Sequence, residues 1–132
     1  MFTFSYSADK EKYISAHFQV KEFHSRKDSA DLVKVDERLL ELLENIRNHT
    51  GKPVIINSGY RSAAYNATIK GAVSNSQHVQ GKAADIRIAG VTPAKVAEIA
   101  ECYLGSSGGI GIYSTFTHVD VRKSCARWKG AY

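Results

Sequence analysis

The stretch that most constrains this chain runs from residue 74 to residue 88, SNSQHVQGKAADIRI. It carries an S-x-H-x-x-G-x-A-x-D pattern on Ser76, His78, Gly81, Ala83 and Asp85. Residues seven apart on one helix are separated by about 10 Å along its axis. Bonds of roughly 2 Å to a single ion cannot span that gap. If His78 and Asp85 share a metal, the chain must double back between them, and Gly81 is the natural pivot. Asp85 and Arg87 alternate with Ile86 and Ile88, the period of a strand. An imidazole and a carboxylate make an incomplete site. A second stretch, FTHVDVR at 116–122, offers the third ligand of an arrangement that keeps one position open, as catalytic zinc does.

The 132 residues are 43% hydrophobic and 23% charged, which suits one compact domain with its own core. No apolar run approaches the roughly 18 residues needed to cross a membrane, so no membrane insertion is expected. The start, MFTFSYSADKEKY, lacks a basic segment followed by an apolar one. No secretory signal is expected from it, and synthesis is read as cytoplasmic. Cys102 and Cys125 have no C-x-x-C partner, so neither a disulfide framework nor a cysteine metal site is expected. Cys102 reads as a small buried residue on a helix. The net charge of +5 favours an anionic partner such as nucleic acid, a membrane surface or an acidic wall polymer. With no basic helical stripe and no stacking-aromatic motif, nucleic acid is not expected.

Residues 1–19 read as an N-terminal arm, with Tyr13, Phe18, Val20 and Phe23 packing an extended segment onto the body. His17 and His24 lack ligand spacing and read as structural. Residues 36–50 form the clearest helix. Asp36 caps it, Leu39, Leu40, Leu43 and Ile46 form its apolar stripe, His49 lies in its last turn and Gly51 ends it. Val54-Ile55-Ile56 reads as a buried strand leading into Arg61, with Ser62 capping a short helix that ends by Gly71. Thr92 and Pro93 open a further helix, whose buried face comprises Val96, Ile99, Ala100, Tyr103 and Leu104. Residues 105–109 read as a loop, 110–113 and 117–121 as short strands, and 123–132 as a basic tail. Strand alternation puts His118 and Asp120 on one face. The predicted fold is a single α+β domain with helices on one side of a mainly antiparallel sheet, expected as a monomer.

SGYRS (58–62), SQHVQGKAAD (76–85) and THVDV (117–121), in that order, resemble the zinc D-alanyl-D-alanine carboxypeptidase family. That family includes VanX-like dipeptidases and phage endolysins and shares a hedgehog-like fold. The resemblance covers residues 20–128. It implies one zinc ion held by His78, Asp85 and His118, with Arg61 on the scissile carbonyl and Ser76 beside the substrate. It also implies hydrolysis of a peptidoglycan peptide bond, by a D,D-carboxypeptidase or an endolysin-type endopeptidase, with release to the wall if the protein is a phage lysin. Many relatives place Glu or Asp three residues before the last histidine as the base. Thr115 stands there in this chain. Asp120 is the substitute, as base, as ligand or as an acceptor that orients an imidazole; the base or orienting role is the favoured expectation. The competing reading is a non-catalytic, zinc-stabilised module that binds wall or protein.

Overall fold

The computed structural model describes residues 1–130. The C-terminal pair 131–132 of the basic tail lies outside them. The chain opens with β1 (Phe2–Ser5) and the short helix α1 (Tyr6–Asp9). A 3-10 helix (Val20–Phe23) and β2 (Leu32–Val35) follow. β1 and β2 pair antiparallel as a sheet of their own, from Phe2 opposite Val35 to Ser5 opposite Leu32. The arm is therefore half of a two-stranded sheet rather than a plain extended segment. Phe18, Val20 and Phe23 join the core as expected, but Tyr13 is exposed.

Helix α2 (Glu37–Thr50) keeps both of its expected ends. The Asp36 side chain accepts from the Arg38 backbone N–H, and Gly51 closes the helix in the left-handed conformation. Then come β3 (Ile55–Ser58), the one-turn α3 (Ala63–Asn66) capped by Ser62, and β4 (Ala83–Arg87). Helix α4 (Pro93–Leu104) starts from the Thr92 cap. β5 (Gly108–Ile112), β6 (Thr117–Asp120) and β7 (Cys125–Lys129) complete the chain.

The main sheet has the order β3-β4-β6-β5-β7. Its pairs are antiparallel except β5 with β7, which is parallel. Helix α4 lies against β5 and β6, and α2 lies against α4. The residues between them, among them Leu39, Leu43, Ile46, Ile86, Val96, Ile110 and Val119, are buried. Burying such side chains stabilises the fold by about 1.5–3 kcal/mol each. Strand alternation then fixes the second face. Ala84, Ile86, Ile110 and Val119 point to the helices, so Asp85, Gly109, Gly111, His118 and Asp120 belong to the opposite face. The expected α+β fold is the one observed.

Several local expectations are corrected. Val54-Ile55-Ile56 is not a buried strand. β3 pairs with β4 alone, which makes it an edge, and Ile55 is 36% exposed. Tyr103 does not join the buried face of α4. It reaches across to the last turn of α2, where its hydroxyl lies 3.0 Å from His49 Nδ1 and its ring meets the imidazole edge-on. Cys102 is exposed, because it falls on the outer side of α4. The expected 105–109 loop already contains the start of β5, and the basic tail contains β7.

Candidate metal centre

Asp85 and His118 stand directly opposite each other on two neighbouring inner strands, β4 and β6. Asp85 Oδ1 lies 2.9 Å from His118 Nδ1 and 3.3 Å from His78 Nε2. His78 arrives from the turn before β4. The Ser76 hydroxyl accepts from the His78 backbone N–H at 3.1 Å, and Gly81, at φ +72°, turns the chain back into the strand. A side chain at Gly81 would be strained in that conformation, and its Cβ would fall 2.8 Å from the Lys34 carbonyl oxygen. The two imidazoles meet edge-on with centroids 5.2 Å apart. One ligand atom from each of His78, Asp85 and His118 lies within 4.8 Å of the others, and all three residues are buried.

The outward nitrogens of both rings are already engaged. His78 Nδ1–H donates to the Gly59 carbonyl at 2.7 Å, which leaves Nε2 facing the centre. His118 Nε2–H donates to Asp120 Oδ2 at 2.8 Å, which leaves Nδ1 facing the centre. Metal-ligating histidines characteristically donate their other N–H to a carbonyl or carboxylate, which fixes tautomer and ring orientation. Two imidazoles prepared in this way and one carboxylate are a donor set that fits zinc. Charge is tuned as well. Burial alone would raise the Asp85 pKa, but the facing nitrogens of His118 and His78, which donate to it when no metal is bound and they carry a proton, outweigh burial and hold the carboxyl well below the usual range.

The trio opens into a cleft of about 400 Å³. Arg61 lines it, with Nη2 3.6 Å from Asp85 Oδ2, while its Nε donates to Ser58 Oγ and its Nη1 to Asn66 Oδ1. Lys70, Val73 and Gln77 lie along the cleft, together with Tyr113, Phe116 and Trp128. Tyr113 stacks on Phe116 at 4.5 Å, and Trp128 Nε1 donates to the Tyr113 hydroxyl at 3.0 Å. This aromatic wall is a feature the sequence reading missed. Its signal was the lone Trp128 in a segment taken for a tail.

Arg61, Ser76, His78, Asp85 and His118 thus come together. Asp120 does not reach the cleft. It lies behind His118, 0% exposed, with Arg122 donating to both of its oxygens. Thr115 is exposed on the turn between β5 and β6. Asp85 is the one carboxylate among the described residues that line the cleft.

A family model described as peptidase M15 matches residues 16–120, a span that contains all three candidate ligands. The chain belongs to the peptidase M15 family. Within this family the chain is similar to the probable peptidoglycan L,D-endopeptidase MepK of Haemophilus influenzae, 40% identical over 106 residues. That match covers 74% of this chain and 55% of the relative. It is also similar to the peptidoglycan L,D-endopeptidase MepK of Escherichia coli K12, 33% identical over 94 residues, 65% of this chain and 50% of the relative. The M15 chain described here spans about half the length of these curated relatives. No solved structure matches it significantly. Among its described residues no helix is long and apolar enough to cross a membrane.

Proposed function

We propose that this M15 domain is a zinc-dependent peptidoglycan endopeptidase that cleaves a peptide bond between an L- and a D-configured residue. One observation carries the reading: His78, Asp85 and His118 converge within 4.8 Å at the floor of an open cleft. The names of the relatives supply the substrate class and favour an internal bond over the D,D-carboxypeptidase alternative. His78 Nε2, His118 Nδ1 and the Asp85 carboxylate would hold the ion. When bound, it supplies Lewis-acid polarisation and lowers the pKa of water to near neutrality.

The chain's own residues do the rest. Gly59 and Asp120 hold the two imidazoles in register. Arg61, fixed by Ser58 and Asn66, presents its guanidinium beside Asp85, where it would donate to the substrate carbonyl oxygen as negative charge develops. Ser76 shapes the turn that carries His78 and lines the cleft for substrate contact. The burial of Asp120 supports an orienting role rather than that of a base. The aromatic wall and the 69–77 segment flank the space that the peptide would occupy.

Purified sacculi digested with the protein, with and without chelator, test this directly. Mass spectrometry of the muropeptides should show metal-dependent opening of L,D bonds while D-alanyl-D-alanine termini stay intact. Removal of terminal D-alanine would restore the carboxypeptidase reading. Sedimentation with the wall and no cleavage would instead make the domain a binding module.

A further inference from the structure

The side of His118 that faces away from the cleft leads to two more residues. Its Nε2–H donates to Asp120 Oδ2, and Asp120 is fully buried. The rest of that carboxylate is satisfied by a single residue. Arg122 donates to Oδ1 from Nε at 2.8 Å and from its backbone N–H at 3.1 Å, and to Oδ2 from Nη2 at 2.6 Å. A guanidinium fork on a carboxylate fixes the plane of the pair as well as its charge.

The guanidinium is held in turn. Its carbon lies 5.4 Å from the centre of the Trp128 ring, and that ring lies 5.1 Å from the His118 ring. His118, Asp120, Arg122 and Trp128 therefore form a closed circuit of contacts. The neighbouring strand leaves room for it. A Cβ at Gly109 would run into the Asp120 carboxylate, and one at Gly111 would run into the indole.

We infer that Arg122 is a positioning residue of the metal centre: it acts through Asp120 to set the rotation of the His118 ring and hence the direction of Nδ1. This rests on the reading of His118 as a metal ligand. With the Arg122 side chain removed, the Asp120 carboxylate keeps His118 and the backbone N–H of residue 122 but loses the fork that fixes its plane. The imidazole then loses the fixed acceptor that aims its other nitrogen at the centre. A lysine would preserve the charge but not the fork.

Zinc affinity, measured by competition with a chromogenic chelator, tests the inference without reference to turnover. Arg122→Gln should weaken zinc binding on the order of tenfold to a hundredfold, the usual scale for groups that support a ligand. Arg122→Lys should fall between that variant and the unaltered protein. In an Asp120→Asn background, Arg122→Gln should add less than about threefold, because the path is already cut. Unchanged zinc affinity in Arg122→Gln would overturn the inference, as would an equal loss with and without the Asp120 carboxylate. Should the Gln variant not fold, the Lys variant decides by the same comparison in the two backgrounds. If the unaltered protein binds no zinc, the metal-centre reading falls and takes this inference with it. Normal zinc binding that ignores Arg122 removes the inference alone.

Discussion

Gly109 on β5 sits directly opposite Asp120 on β6, and a methyl group on that glycine would occupy the space of the Asp120 carboxylate. Gly109→Ala should therefore displace the group that supports His118. Overpacking of this kind costs about 1–3 kcal/mol. We expect a lower melting temperature together with weaker zinc binding. Calorimetry and metal analysis on one preparation check both, and a variant with wild-type values in each would show that the sheet absorbs the methyl group freely.

Asp120→Asn separates two roles. An amide still accepts a hydrogen bond from His118 Nε2, but it can neither take a proton nor pair with Arg122 as an ion. If Asp120 only positions the ring, zinc affinity drops and turnover at saturating zinc stays within about tenfold of normal. A catalytic base would instead lose on the order of a hundredfold or more even with the site filled. Turnover measured across a zinc titration distinguishes them, and the buried carboxylate leads us to expect the first outcome.

Arg61→Lys keeps a positive charge near Asp85 but loses the planar donors that hold Ser58 and Asn66. Hydrolysis should fall roughly a hundredfold, the scale of losing one oxyanion donor, with little change in melting temperature. A large drop in stability with activity per folded molecule preserved would make Arg61 a turn-building residue.

Acidity should act through competition between a proton and a metal ion for His118 Nδ1. Burial, the largest influence on His118, favours the neutral ring, but hydrogen bonds to Asp120 and Asp85 outweigh it and raise the pKa. For Asp85 and Asp120 burial likewise opposes the charged form, and hydrogen bonds outweigh it and lower both pKa values. In chelator, the His118 contribution to stability is complete below about pH 6.5 and is lost as pH rises through its raised value. The carboxylate contributions are complete above about pH 4 and are lost as pH falls further. The chelated protein should thus be most stable between these limits. Zinc affinity should decline about tenfold per pH unit once His118 is protonated. Melting curves across pH with and without chelator check the sign; parallel curves would contradict it.

The convergence of His78, Asp85 and His118 is legible in the sequence because its geometry is local. His78, Gly81 and Asp85 sit on one turn and strand, and alternation aims His118 without knowledge of the rest of the fold. What is not legible depends on pairing or on depth. Alternation puts Asp120 on the face of His118, yet nothing in THVD tells that the carboxylate is sealed beneath Gly109 and gripped by Arg122. Gly108 and Gly109 look like loop, yet they begin β5, and Gly109 is space left for the Asp120 carboxylate rather than a sign of a flexible chain. CARWK looks like tail because, on a parallel edge strand, only Ala126 and Trp128 share the face of Gly109 and Gly111. β1 and β2 pair across about thirty intervening positions, beyond the reach of any local pattern.

The placement of Trp128 on β7 ties the cleft wall to the support of His118. The candidate ligands Asp85 and His118 occupy β4 and β6, two of the three strands with neighbours on both sides, where a substitution disturbs the sheet on either flank. Of the aromatic wall, Tyr113 and Phe116 flank the turn between β5 and β6, while Trp128 stands on an edge strand beyond residue 120, where the family match ends. A change at Trp128 would therefore act on the cleft wall and, through its ring contacts with Arg122 and His118, on the proposed metal centre at once. Any remodelling of that margin has to preserve the support that Trp128 gives to Arg122 and His118.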